Sequence, residues 1–234
     1  MDSRESRLNG YADFLPRQEL LQKLRARILE AKHPDRSTII GIDGVDLSGK
    51  TSLSNELAEI ISETSQEVIL IHVDDFLQPL TIRTQRGEFS PIGFYEDYFD
   101  FNTMFDCILL PIHCGKRVTY SFYANTHQGR KKKFIDYTIE PKDLLIVEGL
   151  FLSRKELRTC FDLLIRLKIP PSVVIKRAIA RDIPNLGSFE YVRRHYEEQV
   201  LPAQATYKAI CEPDEHSDIV IDNSNINKPI LIKF

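Results

Sequence analysis

The sequence lacks the features that mark several classes of protein. Its four cysteines form no C-x-x-C pair, and its six histidines lack the spacing of a metal motif, so we expect neither structural disulfides nor structural zinc. No apolar run approaches the ~18 residues of a membrane-spanning helix, and the mixed-charge start does not resemble a secretory signal. We therefore expect a cytoplasmic protein that does not associate with a membrane.

An excess of charge of one sign is also missing. The 31 Lys and Arg residues nearly balance the 34 Asp and Glu residues, and the net charge of −3 gives the chain no overall attraction to nucleic acid. Hydrophobic residues make up 42% of the 234 residues, as in an ordinary globular protein. The length suits one α/β domain, with or without a small insertion. We expect a small-molecule substrate, and a homo-oligomer is left open.

Apolar runs alternate with amphipathic segments along the chain. The apolar runs predict strands at residues 37–42, 67–73, 143–149, 162–169 and 218–223, with a further edge strand at residues 229–234. Helical periodicity predicts helices at residues 17–32, 50–65, 102–110, 153–159, 171–181 and 189–210. This alternation predicts a parallel sheet of about five strands with helices on both faces. Alternating aromatic residues predict a β-hairpin inserted at about residues 118–139.

A glycine-rich stretch follows the first predicted strand and matches the phosphate-loop pattern G-x-x-x-x-G-K-[ST]. Glycines let successive backbone N–H groups turn inward around an anion, and the next helix adds its positive N-terminal end. Lys50 would place a charge near the β- and γ-phosphates, and the Thr51 hydroxyl would bind Mg²⁺. We expect the nucleotide to be bound by Gly44, Val45, Asp46, Leu47, Ser48, Gly49, Lys50, Thr51 and Ser52.

Acidic residues follow the next two predicted strands, at the end of an open parallel sheet where ligands bind. Asp74 and Asp75 are adjacent, and because neighbouring side chains on extended backbone point to opposite sides, we expect only one to face the crevice. A carboxylate there can take the proton of an attacking hydroxyl. Glu148 is expected to hold Mg²⁺ together with Thr51. The alternatives are a helix-capping aspartate and a surface ion pair.

Together these residues resemble the uridine kinase-like branch of the P-loop kinases, which includes the nicotinamide riboside kinases. The resemblance covers residues 39–223 and implies ATP- and Mg²⁺-dependent phosphorylation of a hydroxyl of a small metabolite, such as a nucleoside or ribosyl compound. It implies a three-layer α/β P-loop NTPase domain at residues 37–234, behind an N-terminal helical extension at residues 1–36. The stretch "VDDFLQP" resembles the motif of the catalytic base, which is then Asp74. The stretch "LLIVEG" resembles the second acidic motif and gives Glu148 a role in positioning Mg²⁺ and substrate.

The resemblance also implies a helical lid at about residues 177–195. The stretch "IKRAIARD" is similar to the arginine-bearing lid segment of the family. Arg177 and Arg181 are four residues apart, so they share one helix face. Both are expected to close on the triphosphate and to act in catalysis, with Arg177 also near the acceptor. Pro184 and Gly187 are expected to break the helix there.

An acceptor site is implied by two further segments. Residues 93–101 correspond to the family's ribose-holding stretch, in which Asp100 fits the family position best and Asp97 next. One carboxylate can accept hydrogen bonds from both hydroxyls of a diol. Tyr95 is expected to stack on a base. Tyr120 and His127 match the Tyr and His of the family's hairpin, with two extra residues between them.

Other functions stay open at this point. A kinase for another alcohol, such as pantothenate or a sugar phosphate, would use the same motifs. A non-catalytic nucleotide-binding regulator on the same fold is a second alternative. A GTPase switch would need an N-K-x-D motif, which the sequence lacks. The basic run at residues 130–133 is interpreted as a solvated hairpin tip or as a contact to a phosphorylated substrate.

Overall fold

A computed structural model describes residues 15–63, 67–129, 132–186 and 188–234 of the chain. The strands are β1 (Thr38–Gly44), β2 (Val68–His72), β3 (Val118–Asn125), β4 (Lys132–Ile139), β5 (Leu144–Gly149), β6 (Leu163–Lys168), β7 (Ile219–Asp222) and β8 (Ile230–Lys233). The helices are α1 (Arg17–Glu30), α2 (Lys50–Ser62), α3 (Leu80–Arg83), α4 (Pro91–Glu96), α5 (Phe101–Met104), α6 (Leu110–His113), α7 (Lys155–Arg158), α8 (Pro171–Leu186), α9 (Phe189–Arg194), α10 (Leu201–Cys211) and α11 (Pro213–His216).

Of the described strands, six form one sheet in the order β2–β5–β1–β6–β7–β8. The first five of these run parallel, and β8 pairs antiparallel with β7 as the expected edge strand. All five strands predicted from the apolar runs are therefore confirmed. In this order β5 lies between β2 and β1, so the carboxyl ends of these three strands meet at one edge of the sheet.

The two faces of the central strands bury different side chains, because successive strand residues point to opposite sides. Ile40 and Ile42 of β1 pack with the buried leucines of α1 and α2, such as Leu24 and Leu53. Ile39 lies in a second core with side chains from the hairpin, α8 and α10. These two cores produce the predicted three-layer α/β architecture. Because α1 belongs to the first core, it packs on the domain, while residues 1–14 of the proposed N-terminal extension lie outside the described residues.

The predicted hairpin is confirmed as β3 and β4, paired antiparallel from Val118 opposite Ile139 to Asn125 opposite Lys132. Ile135, Tyr137 and Ile139 are buried on its inner face, and the intervening residues are exposed. The Asn125 amide donates to the carbonyl of Leu77 at 2.8 Å, which fixes the hairpin against the segment that follows β2. Residues 130 and 131 of the basic run lie outside the described residues.

The helical segments differ from the sequence prediction where proline interrupts the backbone hydrogen bonds. The predicted helix at residues 189–210 is α9, a π-helical segment (His195–Val200) and α10, which carries a proline in its first turn. The segment at residues 102–110 divides similarly into α5, a π-helical segment (Phe105–Leu109) and α6. A proline has no N–H to donate to the residue four positions earlier, so the local turn widens. By contrast, α8 continues through Pro184 to Leu186, so a helix break at Pro184 itself is wrong, while Gly187, the other residue expected to break the helix, lies outside the described residues.

Candidate active site

A cleft of about 690 Å³ opens beyond the carboxyl ends of the central strands. The described residues that line it come from the phosphate loop (residues 44–51), the ends of β2 and β5, the hairpin tip and α8. Basic, acidic and aromatic side chains all face it. Its lining side chains include Asp46, Lys50, Thr51, Asp74, Phe94, Tyr98, Phe99, His127, Glu148, Arg177, Arg181, Asp182, His195 and Tyr196.

The phosphate loop joins β1 to α2 as the sequence pattern predicts. Gly49 has a φ of 94°, in the left-handed region, and a Cβ there would lie 2.7 Å from the side-chain nitrogen Nδ2 of Asn223. A Cβ on Gly44 would lie 2.5 Å from Ser48 Oγ and 2.8 Å from the Leu167 carbonyl oxygen. Both positions therefore require glycine. The Lys50 ammonium donates to the Val45 carbonyl at 3.2 Å, so this lysine is folded back across the loop.

Thr51 and Glu148 meet at the N-terminus of α2. The Thr51 hydroxyl donates to Glu148 Oε1 at 2.9 Å. The same oxygen lies 2.8 Å from His72 Nδ1, and this hydrogen bond, with the Glu148 charge, raises the pKa of His72 against the opposing effect of burial. His72 is a site residue that the sequence did not indicate. It reaches Glu148 because β2 and β5 pair in a register that sets His72 opposite Glu148.

The donor set of this cluster fits a magnesium ion. The Thr51 hydroxyl and the Glu148 carboxylate supply adjacent hard oxygen atoms, which Mg²⁺ prefers. Among the described residues no cluster of three His, Cys, Asp or Glu side chains forms a complete metal cage. Mg²⁺ usually binds to proteins through one or two side-chain oxygens, with phosphates and water completing its coordination.

Asp74 and Asp75 are separated as expected, with only one facing the cleft. The Asp74 side chain is 63% exposed and lines the cleft. Asp75 is buried and accepts hydrogen bonds from the Tyr137 hydroxyl at 3.1 Å and the Lys133 ammonium at 3.2 Å. The two side chains diverge on a 3₁₀ turn (Val73–Phe76) rather than on extended backbone.

The electrostatics around Asp74 favour its ionised form. Although the side chain is open to the cleft, the surrounding protein partly desolvates the carboxylate, which opposes ionisation; the neighbouring His127, whose Nε2 lies 3.7 Å from Asp74 Oδ2, acts in the other direction. Lys50 and His72 add to this effect, and the pKa of Asp74 falls below its ordinary value. Asp74 is therefore available as a proton acceptor over the ordinary pH range.

Arg177 ties the phosphate loop to the segment after β7. Its guanidinium donates to the carbonyl of Leu47 at 2.8 Å and to the carbonyls of Asn223 and Ser224 at 2.9 Å each. The Asn223 amide in turn donates to the Ser48 carbonyl at 2.7 Å. Arg177 thus lines the cleft while stabilising the backbone of the loop.

Arg181, the second predicted lid arginine, belongs to a cluster that bridges α8 and the phosphate loop. Its guanidinium contacts Asp182 at 2.6 Å and Asp46 at 3.5 Å. The Tyr196 hydroxyl lies 2.9 Å from Asp46 and 2.7 Å from Asp182. Burial, followed by the charge of Asp46, raises the pKa of Tyr196. The helix is therefore held against the loop by side chains from three segments.

Four residues predicted for the acceptor site, Tyr95, Asp97, Asp100 and Tyr120, are not among the described residues that line this cleft. Tyr95, expected to stack on a base, is buried with the Arg154 guanidinium 3.9 Å from its ring centroid. Asp97 pairs with Arg86 at 2.6 Å.

Asp100 and Tyr120 have other contacts. Asp100 caps α5 by accepting from the Thr103 amide at 3.0 Å and hydroxyl at 2.8 Å, and it lines a separate cavity of about 260 Å³. The Tyr120 ring packs against Phe122 on the hairpin, with the ring centroids 5.3 Å apart. Of the predicted acceptor-side residues, Asp74, His127, Glu148 and Arg177 remain in the cleft.

Comparison with known proteins agrees with this geometry. A model of the phosphoribulokinase/uridine kinase family matches residues 39–228. The chain belongs to this family. A uridine kinase from Lactococcus lactis subsp. cremoris (strain MG1363) is 31% identical over 194 residues, covering 80% of this chain and 88% of the relative. A uridine kinase from Borrelia duttonii is 29% identical over 197 residues, covering 82% of this chain and 90% of the relative.

The solved structures support the fold. A protein from Bacillus stearothermophilus described as a possible uridine kinase superposes with a TM-score of 0.70 at 24% identity, covering 87% of this chain and 97% of that protein. This similarity confirms the α/β P-loop kinase fold. Family membership supports a kinase that acts on a small molecule. None of the helices in the described part of the chain has the length and apolar character needed to span a membrane.

Proposed function

We propose that this protein is an ATP-dependent kinase that phosphorylates a hydroxyl of a small metabolite, a nucleoside or related ribosyl compound, in the cytoplasm. The main support is that one cleft joins the phosphate loop to Asp74, whose neighbour Asp75 is held by the hairpin. The uridine kinases among the relatives support the acceptor class. The proposed compartment rests on the cysteine spacing, which contains no C-x-x-C pair.

In the proposed reaction, the phosphate loop binds the triphosphate of ATP through its backbone N–H groups and Lys50. The acceptor hydroxyl oxygen forms a bond to the γ-phosphorus while the bond from that phosphorus to the β–γ bridging oxygen breaks. The hydroxyl proton goes to the Asp74 carboxylate, and ADP leaves. The low pKa of Asp74 keeps this carboxylate ionised before the transfer.

Thr51 and Glu148 would hold Mg²⁺, which when bound neutralises charge on the phosphates. His72 orients the Glu148 carboxylate through the hydrogen bond to Oε1. Arg177 stabilises the conformation of the phosphate loop through its hydrogen bond to the Leu47 carbonyl, and Arg181 of α8 lines the same cleft. A guanidinium at this position stabilises the charge that develops on the transferring phosphoryl group.

A ligand screen tests this proposal. Thermal unfolding is measured with a non-hydrolysable ATP analogue and Mg²⁺, alone and with nucleosides, sugar phosphates or pantothenate, since a ligand that binds the native state raises its melting temperature. Hits are then assayed for ADP formation, with Lys50→Ala as the matched inactive control.

We expect nucleosides to stabilise the ternary complex and to drive ADP formation. Turnover with pantothenate or a sugar phosphate instead would overturn the proposed acceptor class. ATP binding without turnover on any acceptor would favour a non-catalytic regulator.

A further inference from the structure

The phosphate loop contains an acidic residue, Asp46, whose carboxylate is engaged within the loop itself. Its Oδ1 accepts from the Leu47 backbone N–H at 2.8 Å. Leu47 has a φ of 63°, in the left-handed region, which residues other than glycine rarely adopt. A residue in this conformation helps to turn successive N–H groups of a loop to one side, where they form an anion site. A carboxylate of the chain therefore takes up one donor of a loop that is suited to phosphate.

The other oxygen of Asp46 connects the loop to α8 and to the π-helical segment before α10. Asp46 Oδ2 lies 2.9 Å from the Tyr196 hydroxyl and 3.5 Å from the Arg181 guanidinium. Asp182, the next residue of α8, accepts from the same guanidinium at 2.6 Å and lies 2.7 Å from the same hydroxyl. Burial lowers the pKa of Arg181, but the hydrogen bond to Asp182 and the charge of Asp46 outweigh it and raise this pKa. One guanidinium is thus shared by two carboxylates, and one of these belongs to the phosphate loop.

Asp46 places a negative charge beside the expected position of a polyanion. Asp46, Lys50 and Arg181 all line the cleft. The Arg181 side chain is 53% exposed, and exposed ion pairs contribute little to stability. A guanidinium binds phosphate oxygens through strong charge-assisted hydrogen bonds. Phosphate oxygens can therefore replace Asp46 as the partner of Arg181.

We propose that Asp46 is an internal competitor of the triphosphate, which holds the Leu47 N–H and the Arg181 guanidinium until phosphate oxygens replace it. Asp46 then determines how tightly the nucleotide is bound. The exchange directs Arg181 to the phosphates only when a nucleotide is present. This inference rests on the proposed function, because it assumes that the loop binds ATP.

Nucleotide binding to Asp46→Asn tests the competition directly. Asparagine keeps an oxygen that can accept from the Leu47 N–H, but it lacks the charge that repels phosphate and attracts Arg181. We expect the Kd of a non-hydrolysable ATP analogue with Mg²⁺, measured by calorimetric titration, to fall roughly 10-fold, as removal of one nearby like charge can produce. The gain should be smaller for ADP and absent for adenosine, which carries no phosphate. Damage to the loop would weaken binding, so a gain in affinity distinguishes competition from a structural role.

Two further variants serve as controls. Glu30→Gln removes the same charge from an exposed ion pair with Arg27 on α1, outside the described lining of the cleft. Because salt screens exposed charges, its Kd for the ATP analogue should stay within about twofold of wild type. Asp46→Ser, whose hydroxyl can accept from the Leu47 N–H, should reproduce the gain in affinity. It decides the question if Asp46→Asn does not fold.

A double variant tests whether Asp46 acts through Arg181. In the Arg181→Gln background, Asp46→Asn should tighten binding of the ATP analogue by less than about threefold, because the two residues are coupled. An undiminished gain there would overturn the exchange of Arg181.

The outcome for wild type separates this inference from the proposed function. Unchanged or weaker binding of the ATP analogue by the folded Asp46 variants, while wild type binds it, would overturn the inference and leave the kinase function intact. Failure of wild type to bind the analogue would overturn the proposed function and this inference with it.

Discussion

Replacing each of the adjacent aspartates by asparagine should produce opposite effects on stability and catalysis. Asp75 is buried and accepts from Tyr137 and Lys133. Hydrogen bonds to a charged group contribute about 1.5–3 kcal/mol, and asparagine keeps an oxygen that can still accept one of them. We therefore expect Asp75→Asn to lower the free energy of unfolding by about 1–2 kcal/mol.

Asp74→Asn is the matched change at the neighbouring position. Asp74 is 63% exposed and its ion pair with His127 spans 3.7 Å, and exposed pairs of this kind contribute about 0–1 kcal/mol. We expect a change of about 0.5 kcal/mol or less. The difference between the variants should appear as a lower melting temperature for Asp75→Asn, by roughly 2–4 °C per kcal/mol for a chain of this size.

The assay is urea and thermal unfolding of both variants, followed by turnover at a temperature where both are folded. Asp75→Asn should then retain transfer within about threefold of wild type. The reasoning would be refuted if Asp74→Asn were the less stable variant, or if folded Asp75→Asn were inactive. Either result would mean that the hairpin contact of Asp75 is not its main role.

Three further predictions concern the loop, the metal and pH. Lys50→Ala should keep the fold and lower turnover by roughly 10²-fold or more, because the positive charge that stabilises the transferring phosphoryl group is lost. A near-normal kcat would contradict the phosphate-loop assignment. Turnover should require Mg²⁺ or Mn²⁺, since Thr51 and Glu148 offer hard oxygens, and full activity in excess chelator would contradict it. Because Glu148 raises the pKa of His72, this group stabilises the fold fully below its unfolded pKa of about 6.5, and the contribution is lost as pH rises through the raised value. Urea unfolding at a series of pH values, without metal, should show this loss in the free energy of unfolding of wild type and not of His72→Gln. If the free energy of unfolding depends on pH equally in both proteins, the role of His72 is refuted.

The phosphate-loop part of the candidate site could be predicted from the sequence because its determinants are local. The glycines, Lys50 and Thr51 lie within one strand–loop–helix unit, and the backbone of Gly49 shows why the spacing is required. The buried strands were equally visible, since a strand covered on both faces is apolar at nearly every position. Asp74 and Glu148 followed from their place at strand ends.

The acceptor half could not be predicted because it depends on which face each side chain presents after packing. Tyr95 and Tyr98 are three residues apart in a stretch rich in aromatics, yet one lies in the core and the other in the cleft. Asp97 forms an ion pair with Arg86, a partner that no local pattern indicates. His72 reaches Glu148 only because of the strand order.

The most direct test of the central claim is single-turnover transfer from γ-labelled ATP to a nucleoside, measured for wild type and Asp74→Asn alongside ATP-binding titrations. Loss of a general base typically costs ~10²–10⁴ in rate, and in the proposed reaction Asp74 acts on the acceptor hydroxyl rather than on the nucleotide. The account predicts that Asp74→Asn loses transfer by about that factor while binding ATP as tightly as wild type. Transfer by folded Asp74→Asn at the wild-type rate would contradict it.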